Sequence, residues 1–172
     1  MSSVTAHRAT DRVLETSLSE AIATFASGAI CQDSSQSARH ILRLSLMDWF
    51  AVASAGSDEP VSRIVRDMAV CEGGAEQASV IGQTTRLPAR AAALVNGTTS
   101  HALDYDDTHF LYIGHPSVAV LPAALAIAEH TGASGPDFLD AALIGVETAC
   151  RIGHWLGRDH YDLGFHQTAT SG

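Results

Sequence analysis

The segment from His101 to His115, HALDYDDTHFLYIGH, concentrates side chains that can exchange protons or bind metal ions. Its polar members of this kind are His101, Asp104, Asp106, Asp107, Thr108, His109 and His115. Solvated surfaces favour Lys and Glu instead, and the apolar residues Leu103 and Phe110 lie within this segment. The mixture indicates the wall of a pocket. A smaller cluster, which includes Tyr161 and His166, follows near the end of the chain.

These residues admit a plain structural interpretation and three sharper ones. In the plain interpretation, His–Asp pairs satisfy each other's hydrogen bonds within an interhelical loop. The pattern Asp104-x-Asp106-x-Thr108 also matches the DxDxT nucleophile motif of haloacid-dehalogenase phosphatases. That motif needs a hydrophobic strand before it and a lysine after it, whereas the preceding residues are polar and the sequence contains no lysine. The flanking residues and the lack of lysine therefore argue against a phosphatase of this class.

A metal site is another interpretation of the cluster. His101 and Asp104 lie three positions apart, so they would share one face of a helix. Histidine together with carboxylate ligands suits Zn, Mn or Fe. However, the sequence contains neither HExxH nor an EF-hand loop, and the spacing of the cluster is generic. We expect no metal here, and a metal-dependent hydrolase that uses residues 101–115 stays as an alternative function.

The remaining interpretation is an acid/base group for a carboxylate substrate, with histidine as proton shuttle and aspartate as its orienting partner. Several motifs then agree in order and spacing. NGTTSHALDYDDTH is followed by HPSVAVLPAALAIAE, GASGPDFLDAALIGVET, RIG and HYDLGFHQT. Together they resemble the MmgE/PrpD family over about residues 35–172, and the ordered set is far more specific than any one motif.

The resemblance implies a function and an architecture. The family includes 2-methylcitrate dehydratase, cis-aconitate decarboxylase and iminodisuccinate epimerase, which are lyases and isomerases of small di- and tricarboxylates. Members use no metal or organic cofactor and usually form homodimers. They are considerably longer than this chain, with a large helical domain completed by C-terminal helices and a smaller α/β domain. Residues 1–172 would thus be an incomplete N-terminal helical domain, inactive alone and prone to associate.

The resemblance also assigns site residues. Active-site positions of the decarboxylase fall on Asp104, Thr108, His115 and His166, while its catalytic lysines and a later tyrosine lie beyond the end of this sequence. We expect Asp104, His115 and His166 to be catalytic and Thr108 to bind substrate. Tyr161, from the second cluster, is a further acid or substrate-binding residue. His115 precedes a predicted helix start, where backbone N–H groups could hold a substrate carboxylate.

Composition predicts the fold class. Hydrophobic residues make up 46% of the sequence and aromatic residues only 6%. The richness in Ala and Leu favours packed helices over a sandwich or barrel. We predict an all-α, multi-helix domain with at most one short strand, at residues 78–82. Helices are expected over about 11–27, 37–56, 60–73, 88–96, 117–130 and 136–156, followed by an irregular segment. The helix at 37–56 has few polar positions, which predicts burial on most sides.

Charge and cysteine usage exclude several classes. All ten basic residues are arginine, against nineteen acidic residues, for a net charge of −9. The chain therefore has no basic stripe for nucleic acid or an anionic membrane, and a lysine base or Schiff base cannot come from this segment. Three cysteines far apart predict no disulfide framework. Without an apolar leader or a long apolar run, we expect a cytoplasmic protein. A non-catalytic helical pairing module remains a further alternative.

Overall fold

The computed structural model describes residues 16–28 and 36–170, which form seven helices and one two-stranded sheet. The helices are α1 (Leu18–Gly28), α2 (Gln36–Gly56), α3 (Pro60–Glu72), α4 (Ala89–His101), α5 (Pro116–Thr131), α6 (Gly135–Asp162) and α7 (Gln167–Thr170). The strands are β1 (Ala78–Ser79) and β2 (Arg86–Leu87). The all-α prediction is confirmed, and the helix start expected near Asp11 lies outside the described residues.

Local sequence explains where the helices begin and end. α3 begins with Pro60 and is closed by Gly73 at φ 68°, and α5 is closed by Gly132 at φ 69°. These are the positions at which proline and glycine favour the start and the end of a helix. α6 opens with a capping box, in which Ser134 and Asp137 each accept a hydrogen bond from the other's backbone N–H.

α5 continues through Pro122, which the sequence placed either near the first turn or at a kink. Proline has no N–H, so the carbonyl of Val118 lacks its usual partner one turn on. A Cβ at Gly97 of α4 would lie 3.6 Å from that carbonyl oxygen and 3.7 Å from the proline ring. These are ordinary van der Waals distances, so α4 and α5 are in contact here and a Cβ at Gly97 would fit between them.

The small sheet is held by α4. β1 and β2 are antiparallel, with Ala78 opposite Leu87, so a second strand joins the one that the sequence indicated. The pairing satisfies backbone groups that a single strand would leave open. Asn96 of α4, which is buried, accepts from the N–H of Ile81 at 2.9 Å and donates to the carbonyl of Ser79 at 2.9 Å.

The core lies on both sides of α4 and α5. α4 packs against α2, α3 and α5, and α5 packs in turn against α6. One apolar cluster joins α3, the sheet and α4, and includes Ala69, Leu87 and Val95. A second joins α2, α5 and α6 through Trp49 and Leu121. These contacts fix the ends of α4 and α5, which residues 102–115 connect.

α2 differs from the expectation of burial on most sides. Within the described residues, it buries one stripe: Leu42, Trp49, Ala53 and Gly56. Several of its other apolar side chains are exposed, among them Ile41, Leu44 and Met47. The prediction was wrong because the number of apolar residues does not say how many neighbours a helix has; only one face of α2 meets α4, α5 and α6.

The end of the chain is more regular than expected. The helix that was predicted to end near Leu156 continues to Asp162 after a break at Gly157, whose φ is 69°. The side chain of Gln167 donates to the carbonyls of Gly153 and Gly157 at 3.3 and 3.1 Å. This amide therefore anchors α7 to the last turn of the broken helix. None of the helices in the described residues is long and apolar enough to cross a membrane.

Candidate active site

The loop between α4 and α5, residues 102–115, is anchored on α6 and α7. Tyr112 is fully buried, and its hydroxyl donates to the carbonyl of Gln167 at 3.1 Å. The backbone N–H of His115 donates to Thr168 Oγ1 at 2.8 Å. A Cβ at Gly153 would lie 2.7 Å from the Tyr112 Cα, so glycine is required for this approach. The two polar clusters of the sequence thus meet in space.

Two non-glycine residues of this loop have a left-handed backbone. Asp104 has φ 55° and Ile113 has φ 52°. For a β-branched residue such as Ile113 this conformation is a true outlier. Strained backbone of this kind concentrates at functional sites and persists only where the surroundings hold it. Here the contacts of Tyr112 and His115 with α6 and α7 provide that support.

His115 lies at the centre of the candidate site, with its side chain only 12% exposed. Its Nδ1 lies 3.1 Å from the carbonyl oxygen of Asp106, and 3.3 Å from Asp106 Oδ2. A carbonyl oxygen can only accept, so Nδ1 carries the proton. Its other nitrogen, Nε2, lies 3.5 Å from Asp104 Oδ1. Nε2 is therefore the atom of His115 that can exchange a proton with a ligand.

Asp106 links His115 to His101. Its carboxylate is completely buried, and Oδ1 lies 2.9 Å from His101 Nδ1. The two imidazole rings make an edge contact, with centroids 4.9 Å apart. A buried carboxylate is costly unless it is paired, and these two histidines are its partners in the site.

A cavity of about 1220 Å³ opens beside these groups. Its polar lining consists mainly of His101, Asp104, His115, Tyr161, His166 and Thr168. The His166 ring stacks at 6.1 Å from the His115 ring, and the Tyr161 ring meets His166 edge-on at 5.7 Å. Four of the five residues that the sequence proposed, namely Asp104, His115, Tyr161 and His166, therefore lie together at one cavity.

Thr108, the fifth proposed residue, is exposed and is not among the described residues that line this cavity. The loop turns between Asp106 and His115 and carries Thr108 away from the cavity. His109 points elsewhere too, with Nδ1 3.5 Å from the Sγ of Cys150. Sequence reasoning did not assign roles to His101, Asp106 and Thr168. His101 and Asp106 lie within the polar segment 101–115, so their position in that segment was the signal by which they could have been found.

The first turn of α5 is already occupied by a carboxylate of the chain. Asp107 accepts from the backbone N–H of Ser117 at 3.2 Å and from its hydroxyl at 2.6 Å. Pro116 has no N–H to offer. We expected the backbone N–H groups after His115 to hold a substrate carboxylate. Pro116 and Ser117 are not available for this, because proline has no N–H and the N–H of Ser117 already donates to Asp107.

Negative charge accumulates around the site. Burial raises the pKa of the Asp48 carboxyl on α2, and the charges of Asp107 and then Asp106 raise it further. The described residues that line the cavity include three histidines but no arginine. Among the described lining residues, only protonated histidines could therefore supply positive charge to a bound anion.

Four groups of the site also lie close enough to hold a metal ion. One ligand atom from each of His101, Asp104, Asp106 and His115 lies within 4.8 Å of the others. The same atoms make the hydrogen bonds and ion pairs described above, which account for their proximity without an ion. Geometry alone thus fits both an acid/base group and a cation site.

Comparison with known proteins agrees with the motifs. The sequence model of the MmgE/PrpD N-terminal domain matches residues 20–172. The cis-aconitate decarboxylase-like protein oryM of Aspergillus oryzae is 33% identical over 139 residues, which are 76% of this chain and 28% of that protein. The cis-aconitate decarboxylase of Homo sapiens is 43% identical over 74 residues, or 41% of this chain and 15% of that enzyme.

The cis-aconitate decarboxylase of Aspergillus terreus is 35% identical over 99 residues, which are 54% of this chain and 20% of that enzyme. The chain therefore spans between 15% and 28% of the length of these relatives. The domain match, in contrast, extends over most of the chain, and it includes every residue of the cavity described above. On this match, the chain belongs to the MmgE/PrpD family.

Proposed function

We propose that this chain provides part of the active site of a lyase or isomerase that acts on a small di- or tricarboxylate by proton transfer, without a metal or organic cofactor. The observation that carries the proposal is the convergence of His115, His166 and Asp104 on one cavity. cis-Aconitate is the first substrate to test, because two of the relatives described above are cis-aconitate decarboxylases. Dehydration of the 2-methylcitrate type and epimerisation are the related reactions.

His115 is suited to the proton transfer itself. Its Nδ1–H is held by the carbonyl of Asp106, which leaves Nε2 to take or give a proton at the cavity. Dehydration and epimerisation begin with removal of a proton from a carbon next to a carboxylate. Decarboxylation leaves a carbanion, which a neighbouring double bond can delocalise, and it ends with a proton delivered to that carbanion. An imidazole, which titrates near neutral pH, can perform either step.

His166 and Tyr161 complete this wall of the cavity. The His166 ring stacks beside His115, so one histidine can exchange a proton while the other, as imidazolium, binds a substrate carboxylate. The Tyr161 ring contacts His166 and can supply a further O–H donor. Asp104 Oδ1 lies 3.5 Å from Nε2 of His115, where a carboxylate can accept a hydrogen bond from this nitrogen once it carries the transferred proton. Thr108 keeps its proposed substrate role only if the loop moves it to the cavity.

The complete site needs more positive charge than these residues supply. A tricarboxylate brings up to three negative charges, whereas the described cavity wall offers histidines and the whole sequence has no lysine. We propose that residues outside this chain, from a longer gene product or from the second subunit of a homodimer, supply cationic groups. The 1–172 segment would then be the N-terminal helical part of a larger cytoplasmic enzyme.

A metal-dependent hydrolase is the second candidate, because His101, Asp104, Asp106 and His115 could surround a cation. The two candidates differ in their response to chelation. The experiment is a screen of cis-aconitate, 2-methylcitrate and iminodisuccinate with the chain alone and with the full-length gene product, before and after exhaustive treatment with EDTA. Turnover that survives chelation supports the proposal. Stoichiometric metal, with activity that is lost on its removal, favours the hydrolase.

A further inference from the structure

Asp106 is the only described carboxylate of the site whose side chain is completely buried and contacts two histidines. Its Oδ1 and Oδ2 lie 2.9 and 3.1 Å from His101 Nδ1. Its backbone carbonyl receives the Nδ1–H of His115 at 3.1 Å. Oδ2 also lies 3.3 Å from the same nitrogen of His115. The Asp106 carboxylate therefore contacts Nδ1 of both rings, and His115 has the backbone carbonyl as a further acceptor.

These contacts decide which nitrogen of each ring carries a proton. An ionised carboxylate accepts hydrogen bonds and cannot donate them, so His101 must present Nδ1–H to Asp106. The tautomer of a histidine is set by the hydrogen bond that its other nitrogen makes. In its neutral form, His101 thus has an unprotonated Nε2. That ring lines the cavity and its side chain is 40% exposed, so a ligand can reach it.

We propose that His101 is a second acid/base group of this cavity, and that Asp106 is the positioning residue that turns the unprotonated Nε2 of His101 towards the ligand. This inference deepens the proposed function and rests on it for the effect on turnover. His101 and His115 make edge contact at 4.9 Å, so their two Nε2 atoms can serve neighbouring positions of one small substrate. Two imidazoles would then divide the work: one removes a proton and the other delivers one.

Substitution of Asp106 should separate the two histidines. Leucine in place of Asp106 branches at the same carbon but has no acceptor. Because it removes one partner of a buried contact, the variant should also be less stable than the wild type. In Asp106→Leu, His101 loses its only described hydrogen-bond acceptor and should revert to the Nε2–H tautomer that a free histidine side chain prefers in water. His115 should keep Nδ1–H, because its acceptor is the backbone carbonyl, which the substitution retains.

The first measurement is long-range ¹H–¹⁵N NMR of the histidine side chains in the chelator-treated chain, at a pH where the rings are neutral. We expect Nδ1–H on both rings of the wild type, and conversion of His101 alone in Asp106→Leu. Asp107→Asn is the matched control, since its carboxylate bonds Ser117 and neither of these rings. Asp106→Ala, which also lacks a side-chain acceptor, is a second variant, should the leucine variant fail to fold. Retention of Nδ1–H on His101 in the folded variant would overturn the positioning role of Asp106.

The second measurement is turnover of cis-aconitate by the full-length gene product. His101→Ala and Asp106→Leu should each lower kcat at least about tenfold, a modest acid/base effect, with a smaller change in KM. If His101→Ala turns over like the wild type while His115→Ala does not, the role of His101 is wrong and the proposed function stands. If the wild type turns over none of the polycarboxylates, the proposed function fails, and the acid/base role of His101 fails with it.

Discussion

At the scale of single residues, the role of His115 depends on one hydrogen bond, from its Nδ1 to the carbonyl of Asp106. Residue types and motif order were enough to predict that Asp104, His115, His166 and Tyr161 belong together. They were not enough for Asp106 or Thr168. Each of those contacts His115 through a geometry that exists only after the loop has folded. Residue type alone therefore could not distinguish Asp106 from the neighbouring Asp104 and Asp107.

The acid/base role predicts large losses on removing either stacked histidine. In the full-length gene product, His115→Ala and His166→Ala should each lower turnover of its polycarboxylate about a hundredfold, as for other positioned acid/base groups. Asp104→Asn should also lower it, because His115 Nε2 loses its carboxylate neighbour. Steady-state kinetics measures the effect. His130→Ala, an exposed histidine at the end of α5, is the control and should behave like the wild type.

Cys150 offers a prediction that does not depend on the catalytic proposal. Burial raises the pKa of its thiol from 9.0 to about 11, with further contributions from Glu147 and Asp107. At pH 8 it should therefore react slowly with iodoacetamide, whereas the exposed Cys71 reacts fast, as followed by mass spectrometry in a Cys31→Ser background. Equal rates at pH 8 would contradict this.

The same shift predicts a sign for stability. The folded state keeps the Cys150 thiol protonated to higher pH than the unfolded chain does. The contribution of the buried thiol to the free energy of unfolding is therefore fully present below pH 9.0 and is lost as pH rises through about 11. Urea unfolding at pH 8, 9 and 10 should show this loss, and Cys150→Ser should reduce the slope of stability against pH in that range.

At the scale of helices and strands, the sequence predicted α2, α3 and α5 to within about one residue, because proline and glycine mark their ends. It did not predict the continuation of α6 beyond Leu156. Gly157 indicates a stop when read locally, but Gln167 binds the carbonyls at this break and holds the following turn in place. That long-range contact has no local signal in the sequence.

Gly153 of α6 tests how the site loop is held. Gly153→Ala places a Cβ 2.7 Å from the Tyr112 Cα and 3.0 Å from its carbonyl oxygen, so the loop or the helix must move. Overpacking of this kind costs about 1–3 kcal/mol, which urea unfolding measures. Gly135→Ala is the matched control on the same helix, since its Cβ meets no atom within 4 Å. Equal stabilities of the two variants would contradict the proposed anchoring.

At the scale of the whole molecule, the described surface carries many large apolar side chains. Met47 is 68% exposed and Phe110 is fully exposed, together with Ile41, Ile64, Trp155 and Leu163. The composition predicted helices with apolar faces, but it could not say which of those faces are covered. Apolar surface of this extent commonly drives association, while a net charge of −9 opposes precipitation.

We therefore expect the chain to form soluble oligomers. Size-exclusion chromatography with light scattering should show a mass above that of one 18.0 kDa chain at micromolar concentrations. The double variant Met47→Glu, Phe110→Glu should shift the distribution towards the monomer. His130→Glu adds charge at an exposed polar position and should leave it unchanged. A wild-type chain that is monomeric at all concentrations would contradict the expectation.

The most direct test of the central claim is turnover of cis-aconitate by the metal-stripped, full-length gene product, measured with and without His115. We predict that the wild type releases CO₂ or an isomerised or dehydrated product at an unchanged rate after chelation, and that His115→Ala loses about a hundredfold or more. A chelated enzyme that is inactive until a divalent metal is restored, or a His115→Ala variant as fast as the wild type, would contradict the account of a cofactor-free proton-transfer site.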